Sequence, residues 1–228
     1  MAPTTALIDA DIVAFRCAAS NNVEDGEEVA ILRTGKLMRD IINVTGTSKY
    51  YAFLTGGGNF RKAINPEYKA NRKDKVLPLW LKSCKDYLTK EWGAITTVGY
   101  EADDALGFYS TDDTIICTID KDLDQVQGHH YNFVKQEFYN VLERDGLRHF
   151  YKQMLIGDKA DNIVGVAGIG KVKAGRLIDP LYLEEKMFDV VAGLYEGDEA
   201  RFLMNAQCLW IWRKENDIWK IPDGLRFQ

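Results

Sequence analysis

Strand and helix signals alternate along the first two thirds of this 228-residue chain, and that alternation predicts a three-layer α/β fold. The strand runs are short, apolar and rich in β-formers, which suits a mostly parallel central sheet with helices on both faces. Acidic residues follow directly after two of these runs, at Asp9 and Asp120. That is the carboxyl edge of the sheet, where open α/β folds gather their ligands.

The elements are predicted in order. Ala6–Ile8 reads as the first strand and Asp11–Ser20 as the first helix, with a second helix near Lys36–Val44. Strand Lys49–Leu54, helix Pro78–Trp92, strand Ile95–Val98, helix Ala102–Tyr109 and strand Thr114–Ile119 complete the alternation. From Gly146 the texture changes. A helix Leu147–Ile156 leads through Gly157-Asp158 to the glycine-rich Gly165–Gly170 and a short helix Lys171–Ile178, ending before Pro180. Helices Glu184–Tyr195 and Arg201–Lys214 follow, the second carrying Trp210 and Trp212 as packing residues. One domain is expected over 1–228: a core 1–146, a helix–hairpin–helix 147–180, and a helical segment 181–228 packed on the core.

Composition narrows the class. A hydrophobic content of 46% supports a buried core, and no apolar run approaches the ~20 residues of a membrane span. Without a secretory pattern at the N-terminus, a cytoplasmic protein is expected, in a host's cytoplasm if phage-encoded. Cys17, Cys84, Cys117 and Cys208 are far apart and form no CxxC pair, so buried thiols are expected and zinc is not. The net charge of −5 is unevenly spread: Arg61 to Lys90 holds nine basic residues against three acidic ones. A solvated helical face explains such a stretch by itself; beside an acidic cluster, a surface that tracks a phosphate backbone explains it better.

The chemistry lies in the acids. Asp9, Asp11, Glu101, Asp103, Asp104, Asp120, Asp122, Asp158 and Asp161 cluster where strands or helices end. Glu101 and Asp104 are three apart at a helix start and can face the same way. Brought together, such carboxylates repel unless cations sit among them, and hard oxygens suit Mg²⁺ or Mn²⁺. Two such ions can clamp a phosphodiester for in-line hydrolysis. Gly165–Gly170 follows a helix instead of a strand, so it is no dinucleotide loop. Its glycines, with Lys171 and Lys173, suit backbone contact with phosphates, against the plainer reading of a helix-linking turn. Such contacts carry no base information.

Five motifs, LIDAD (7–11), FRKAINPEYKANR (60–72), EADDALG (101–107), TIDKDLDQ (118–125) and GDKADNIVGVAGIGKVKA (157–174), resemble those of the 5′-nuclease superfamily, in its order and over most of the chain. That superfamily includes flap endonucleases, the 5′-nuclease domain of bacterial DNA polymerase I and tailed-phage 5′–3′ exonucleases, the last being most similar here. The resemblance implies Asp9, Glu101, Asp103 and Asp104 around a first metal, and Asp120, Asp122, Asp158 and Asp161 around a second. It implies Lys69 and Arg72 at the scissile phosphate, with Arg61, Lys62, Tyr68, Lys73, Lys75, Gly168, Gly170, Lys171 and Lys173 on DNA. Tyr68 reads as a base-stacking residue or equally as a packing one. The region 61–92 corresponds to a helical arch through which a single-stranded 5′ end passes, its threading part running roughly from Lys73 to Lys90. The glycine-rich hairpin corresponds to a duplex grip able to hold K⁺. The implied partners are DNA with a free 5′ end, a flap or a branch, RNA–DNA hybrids, and replication proteins, in phage replication or recombination.

One departure stands out. The family's second-strand aspartate is absent from Phe53-Leu-Thr-Gly-Gly-Gly-Asn-Phe60, and Asp11 is near enough in sequence to compensate. A weakened nuclease fold that only binds branched DNA is therefore an alternative. A more distant one is a haloacid-dehalogenase-type phosphatase, with Asp9 as nucleophile, Asp11 as acid–base and Asp158 or Asp161 as metal ligand; it leaves EADDALG, DKD, EYKANR and the glycine hairpin unexplained.

Overall fold

A computed structural model of the protein describes residues 2–20 and 26–227. Its main sheet has six strands in the order β3-β2-β1-β4-β5-β6, namely β1 (Thr5–Asp9), β2 (Lys49–Thr55), β3 (Ile95–Thr97), β4 (Thr114–Cys117), β5 (Gly128–Asn132) and β6 (Glu137–Val141). The first five run parallel, and β6 is an antiparallel edge. β1 lies at the centre, with Ala6 opposite Tyr50 on one side and Ile115 on the other.

Strand alternation divides the core between the two faces. Ala6 and Ile8 point with Ala52, Leu54, Ile115 and Cys117 into a layer built by α1 (Ala10–Ala19), α2 (Gly26–Thr45) and, after the one-turn α3 (Arg61–Ile64), α4 (Leu81–Trp92). Leu7, Phe53 and Ile116 point the other way, against Ala102, Ala105 and Leu106 of α5 (Ala102–Phe108) and against Ile211. A third apolar cluster holds together α6 (Glu143–Ile156), α7 (Lys171–Ile178), α8 (Glu184–Leu194) and α9 (Glu199–Leu209). The expected packing tryptophans behave as such, although α9 ends at Leu209 and both follow it instead of lying on it: Trp212 is buried and stacks on Phe60, and Trp210 meets Phe150 edge-on. All four cysteines are free and buried. No helix among the described residues is long and apolar enough to cross a membrane.

Three expectations need correction. The hairpin β5–β6 carries too many polar residues (Gly-His-His-Tyr-Asn, Glu-Phe-Tyr-Asn-Val) to read as strands, because half of it faces solvent at the sheet edge. α2 begins at Gly26, ten residues before Lys36. Most consequentially, the segment matched to a helical arch divides in two. Residues 73–80 form an exposed irregular loop, whereas α4 lies in the core layer, with Cys84 and Leu88 fully buried.

α6 and α7 are joined by a two-stranded hairpin, β7 (Gly157–Asp158) with β8 (Ile163–Val164), and then by the turn 165–170. Here glycine is required twice. Gly157 holds φ +73, and a Cβ on it would lie 2.3 Å from the Gly165 nitrogen. A Cβ on Gly165 would meet the same backbone at 2.4 Å. The chain folds this tightly only because both side chains are missing.

Candidate active site

Both acidic groups gather at the carboxyl edge of the sheet. β1 ends on Asp9, whose carboxylate caps α1 by accepting from the Ile12 amide (3.0 Å) and accepts a second bond from the Thr118 hydroxyl (2.8 Å). Glu101 and Asp103 come from the start of α5, and Asp120 follows β4. Burial pushes Asp9 up to about 7, with further help from Asp11 and Asp120. Asp103 is held well above the usual carboxylate range by burial and by the charges of Asp9, Asp120 and Glu101. These groups are close enough to repel one another strongly.

Asp122, Asp158 and Asp161 form the second group. Asp122 lies on a 3-10 turn after Asp120, where Gln153 of α6 donates to it at 2.7 Å. Burial, then Asp120, Asp158 and Asp161, pushes its carboxyl up to about 7. Glu101 and Asp103 of the first group line one small cavity together with Asp122, Asp158 and Asp161. The two groups therefore make a single site.

The cations come from the turn 67–72. Lys69 has its ammonium on Glu101 and 3.6 Å from Asp161. Arg72 donates to Asp161 and to the Ala160 carbonyl. Burial alone would lower the Lys69 pKa, but Glu101 and Asp161 outweigh it and hold it up. Glu101, though buried, is held below its usual range by Lys69 and Arg61. For Asp161 burial wins, raising its carboxyl in spite of Lys69 and Tyr68.

Four predicted site residues are placed otherwise. Asp104 is fully buried, and its two oxygens are taken by the Arg61 guanidinium (2.6 and 2.8 Å), the Glu101 amide and the Trp212 amide. It has no lone pair aimed into the cavity. Arg61 is 2% exposed and also donates to the carbonyls of Cys208 and Trp210, so it cannot reach DNA. Tyr68 is 2% exposed and shares its one hydroxyl proton between Glu101 (3.0 Å) and Asp161 (2.7 Å), which joins the acidic groups and leaves no face for a base. Asp11 accepts from the Thr55 amide (2.7 Å) and from Lys85 (2.5 Å), tying α1 to the end of β2 and to α4.

The other predicted contacts are accessible. Lys62, Lys73 and Lys75 are exposed beside the turn, and Gly168, Gly170, Lys171 and Lys173 are exposed at the start of α7. Reading the sequence for charge alone passed over the neutral residues that hold the acids. Asn59 donates to Glu101 at 2.8 Å, Thr118 to Asp9, and Gln153 to Asp122. Thr118 carried a signal, as it stands two residues before Asp120. Gln153, in mid-helix, carried none.

Among the described residues, no three His, Cys, Asp or Glu side chains converge closely enough to hold one ion as they stand. Lys69, Arg72 and Tyr68 stand between the acids instead. The donor set still suits a hard divalent cation: it is all carboxylate oxygen, and its mutual repulsion is what such a cation relieves. The Cys208 thiol in the cavity wall is pushed up to about 11 by burial and stays protonated, which makes it a poor ligand.

Known proteins share this arrangement of elements. The chain resembles the DNA polymerase I of Rhizobium leguminosarum, 30% identical over 166 residues, which is 63% of this chain and 16% of the polymerase. It also resembles the 5′–3′ exonucleases of Mycoplasmopsis pulmonis (29% over 175 residues, 67% of this chain and 58% of that protein) and Bacillus subtilis (28% over 187 residues, 72% and 62%). It thus spans less than two thirds of each of these relatives. Among solved structures, a variant of the bacteriophage T5 flap endonuclease in a pseudo-enzyme-product complex with DNA and metal ions superposes with a TM-score of 0.70 at 17% identity, covering 90% of this chain and 89% of that one. A zinc-bound T5 5′-exonuclease gives 0.69 at 18% identity, covering 90% and 88%. At such identities the likeness is one of fold. Residues 4–153 match the family model described as 5′–3′ exonuclease, N-terminal resolvase-like domain, and the chain belongs to that family.

Proposed function

We propose that this protein hydrolyses phosphodiester bonds in DNA as a divalent-metal-dependent 5′–3′ exonuclease or flap endonuclease, selective for structure and not for sequence. The observation that carries this reading is the single cavity in which Glu101 and Asp103 meet Asp122, Asp158 and Asp161, with Lys69 standing at their junction. Asp9, Glu101, Asp103 and Asp120 would hold one Mg²⁺ or Mn²⁺, and Asp122, Asp158 and Asp161 a second. Such ions supply an activated water and neutralise charge on the phosphoryl oxygens.

The chain's own groups do the rest. Lys69 and Arg72 meet the negative charge that develops on the phosphate, and Arg72 offers a planar fork of donors. Thr118, Asn59 and Gln153 keep Asp9, Glu101 and Asp122 oriented. Lys62, Lys73 and Lys75 line the approach of a 5′ end. The turn 165–170 with α7, helped by Lys171 and Lys173, grips duplex backbone as a helix–hairpin–helix, and its carbonyls would hold a K⁺ that adds positive charge for a phosphate. DNA with a free 5′ end, a flap or a branch is the proposed substrate, with RNA–DNA hybrids as a second one. The resemblance of its motifs to those of tailed-phage 5′–3′ exonucleases is what suggests a setting in phage replication or recombination.

The test is cleavage of 5′-labelled flap and blunt duplexes with Mg²⁺, Mn²⁺ or a chelator, beside Asp120→Ala. Metal-dependent products that disappear in the variant would support the reading, and their lengths would separate nibbling from flap removal. One observation favours a second reading: the stretch from Phe53 to Phe60 holds no carboxylate, and Thr55 there only accepts from the Ala102 amide at 2.9 Å. Tight flap binding without cutting would favour that weakened, DNA-binding form. A phosphatase finds little support, since its acid–base Asp11 is already engaged by Thr55 and Lys85.

A further inference from the structure

The turn 67–72 and the loop 158–162 are held together by reciprocal bonds outside the acid–cation contacts. From one side, Asn71 donates its side-chain amide to the Lys159 carbonyl (2.7 Å). From the other, Asn162 donates its own to the Glu67 carbonyl (2.9 Å). Between them the Lys69 amide donates to the Asp161 carbonyl (2.9 Å). Neither asparagine touches a carboxylate of the site.

The backbone explains what this arrangement achieves. Lys69 and Asn162 both lie in the left-handed region, at φ 57 and φ 60. Asparagine tolerates that conformation, whereas lysine adopts it only with backbone strain. The strained turn of Lys69 survives because bonds on both flanks hold it, and its result is an ammonium aimed between Glu101 and Asp161. The same bonds set the guanidinium of Arg72 against Asp161 and the Ala160 carbonyl.

We propose that Asn71 and Asn162 form a clasp that positions Lys69 between the two carboxylate groups and Arg72 against the second. The inference rests on the nuclease reading above. A cation held among carboxylates competes with a divalent ion for them, so releasing the clasp strengthens metal binding. Phosphate stabilisation depends on placing those cations to within about an ångström, so the same release slows cleavage. The two effects have opposite signs, whereas simple damage to the fold lowers both quantities.

The test uses Asn71→Ala at an exposed position and Asn162→Gly, which keeps the left-handed backbone while removing the bond. Mn²⁺ is titrated calorimetrically into DNA-free protein, and kcat and KM are measured on a 5′-labelled flap. Each variant is expected to bind Mn²⁺ about threefold more tightly and to lose about tenfold in kcat with KM nearly unchanged. An Mn²⁺ affinity that is unchanged or lower overturns the clasp, whatever kcat does. So does an unchanged kcat when the wild type cleaves. A wild type that cuts no 5′-labelled DNA defeats the nuclease reading by itself, and the metal titration then decides the clasp alone.

Discussion

Arg61 and Lys69 leave the same short stretch of chain and meet carboxylates at the same helix start, yet they end in opposite circumstances. Arg61 is sealed in: it pairs with Asp104 and donates to the Cys208 and Trp210 carbonyls. Lys69 keeps 22% of its side chain exposed and sits between Glu101 and Asp161, which belong to different acidic groups. The first pair is saturated and can only hold the fold. The second is electrostatically mismatched, with surplus negative charge around one partly exposed ammonium, and that surplus can be used on a substrate. Eight residues of spacing separate a structural ion pair from a chemical one.

The largest expected effect breaks the structural half. Asp104→Asn strands a buried guanidinium and should cost about 3–5 kcal/mol, read as a fall in the urea midpoint. Lys69→Ala should instead leave folding in Mg²⁺ nearly unchanged while kcat on a labelled flap falls roughly a hundredfold or more. Equal losses of stability from both would erase the distinction.

The metal sharpens the comparison. Mg²⁺ at about a hundred times its dissociation constant should stabilise the wild type by about 2.7 kcal/mol, seen as a rise in Tm that a chelator reverses. Asp103→Asn should remove most of that rise and raise the metal-free Tm slightly, because it deletes a charge already disfavoured by burial and repulsion. A metal-induced rise that persists in Asp103→Asn would exclude that residue as a ligand.

The smallest expected effect comes from a buried group remote from this chemistry. His130 donates from Nε2 to the Val126 carbonyl at 2.8 Å, and its Nδ1 is buried without a partner. Burial lowers its pKa from the ordinary 6.5, so the fold keeps it neutral while the unfolded chain takes up a proton. Its contribution is therefore fully present above pH 6.5 and is lost as pH falls through that value towards the folded pKa. Asp9 and Asp122 titrate in the same window in both proteins, so the His130 share is read as a difference: from pH 5.5 to 7.5 the urea midpoint should shift more favourably in the wild type than in His130→Phe. A slope unchanged by the substitution would assign the pH dependence to other groups.

Much of the fold was legible because its rules are local. β1, β2, β3 and β4 are short apolar runs, and α7 starts after glycine and ends before Pro180, so their bounds were read to within two residues or so. The β5–β6 hairpin escaped because a half-exposed edge need not be apolar. The acids were legible as a set through their motifs, but their division of labour was not. Asp103 and Asp104 are neighbours with the same chemistry, and helix geometry turns one into the cavity and the other towards Arg61.

Sequence alone determined the layer order, the chain positions of the acids at the carboxyl edge, and the concentration of cations between residues 61 and 90, since each depends on residue type and short-range periodicity. Tertiary structure decided which charges are spent on the fold. The carbonyls of Cys208 and Trp210 and the amide of Trp212, more than a hundred residues away in the chain, close over Arg61 and Asp104. Nothing closes over Lys69 in that way. Burial is a property of the whole chain packed together, and in this protein it is what separates a strut from a reagent.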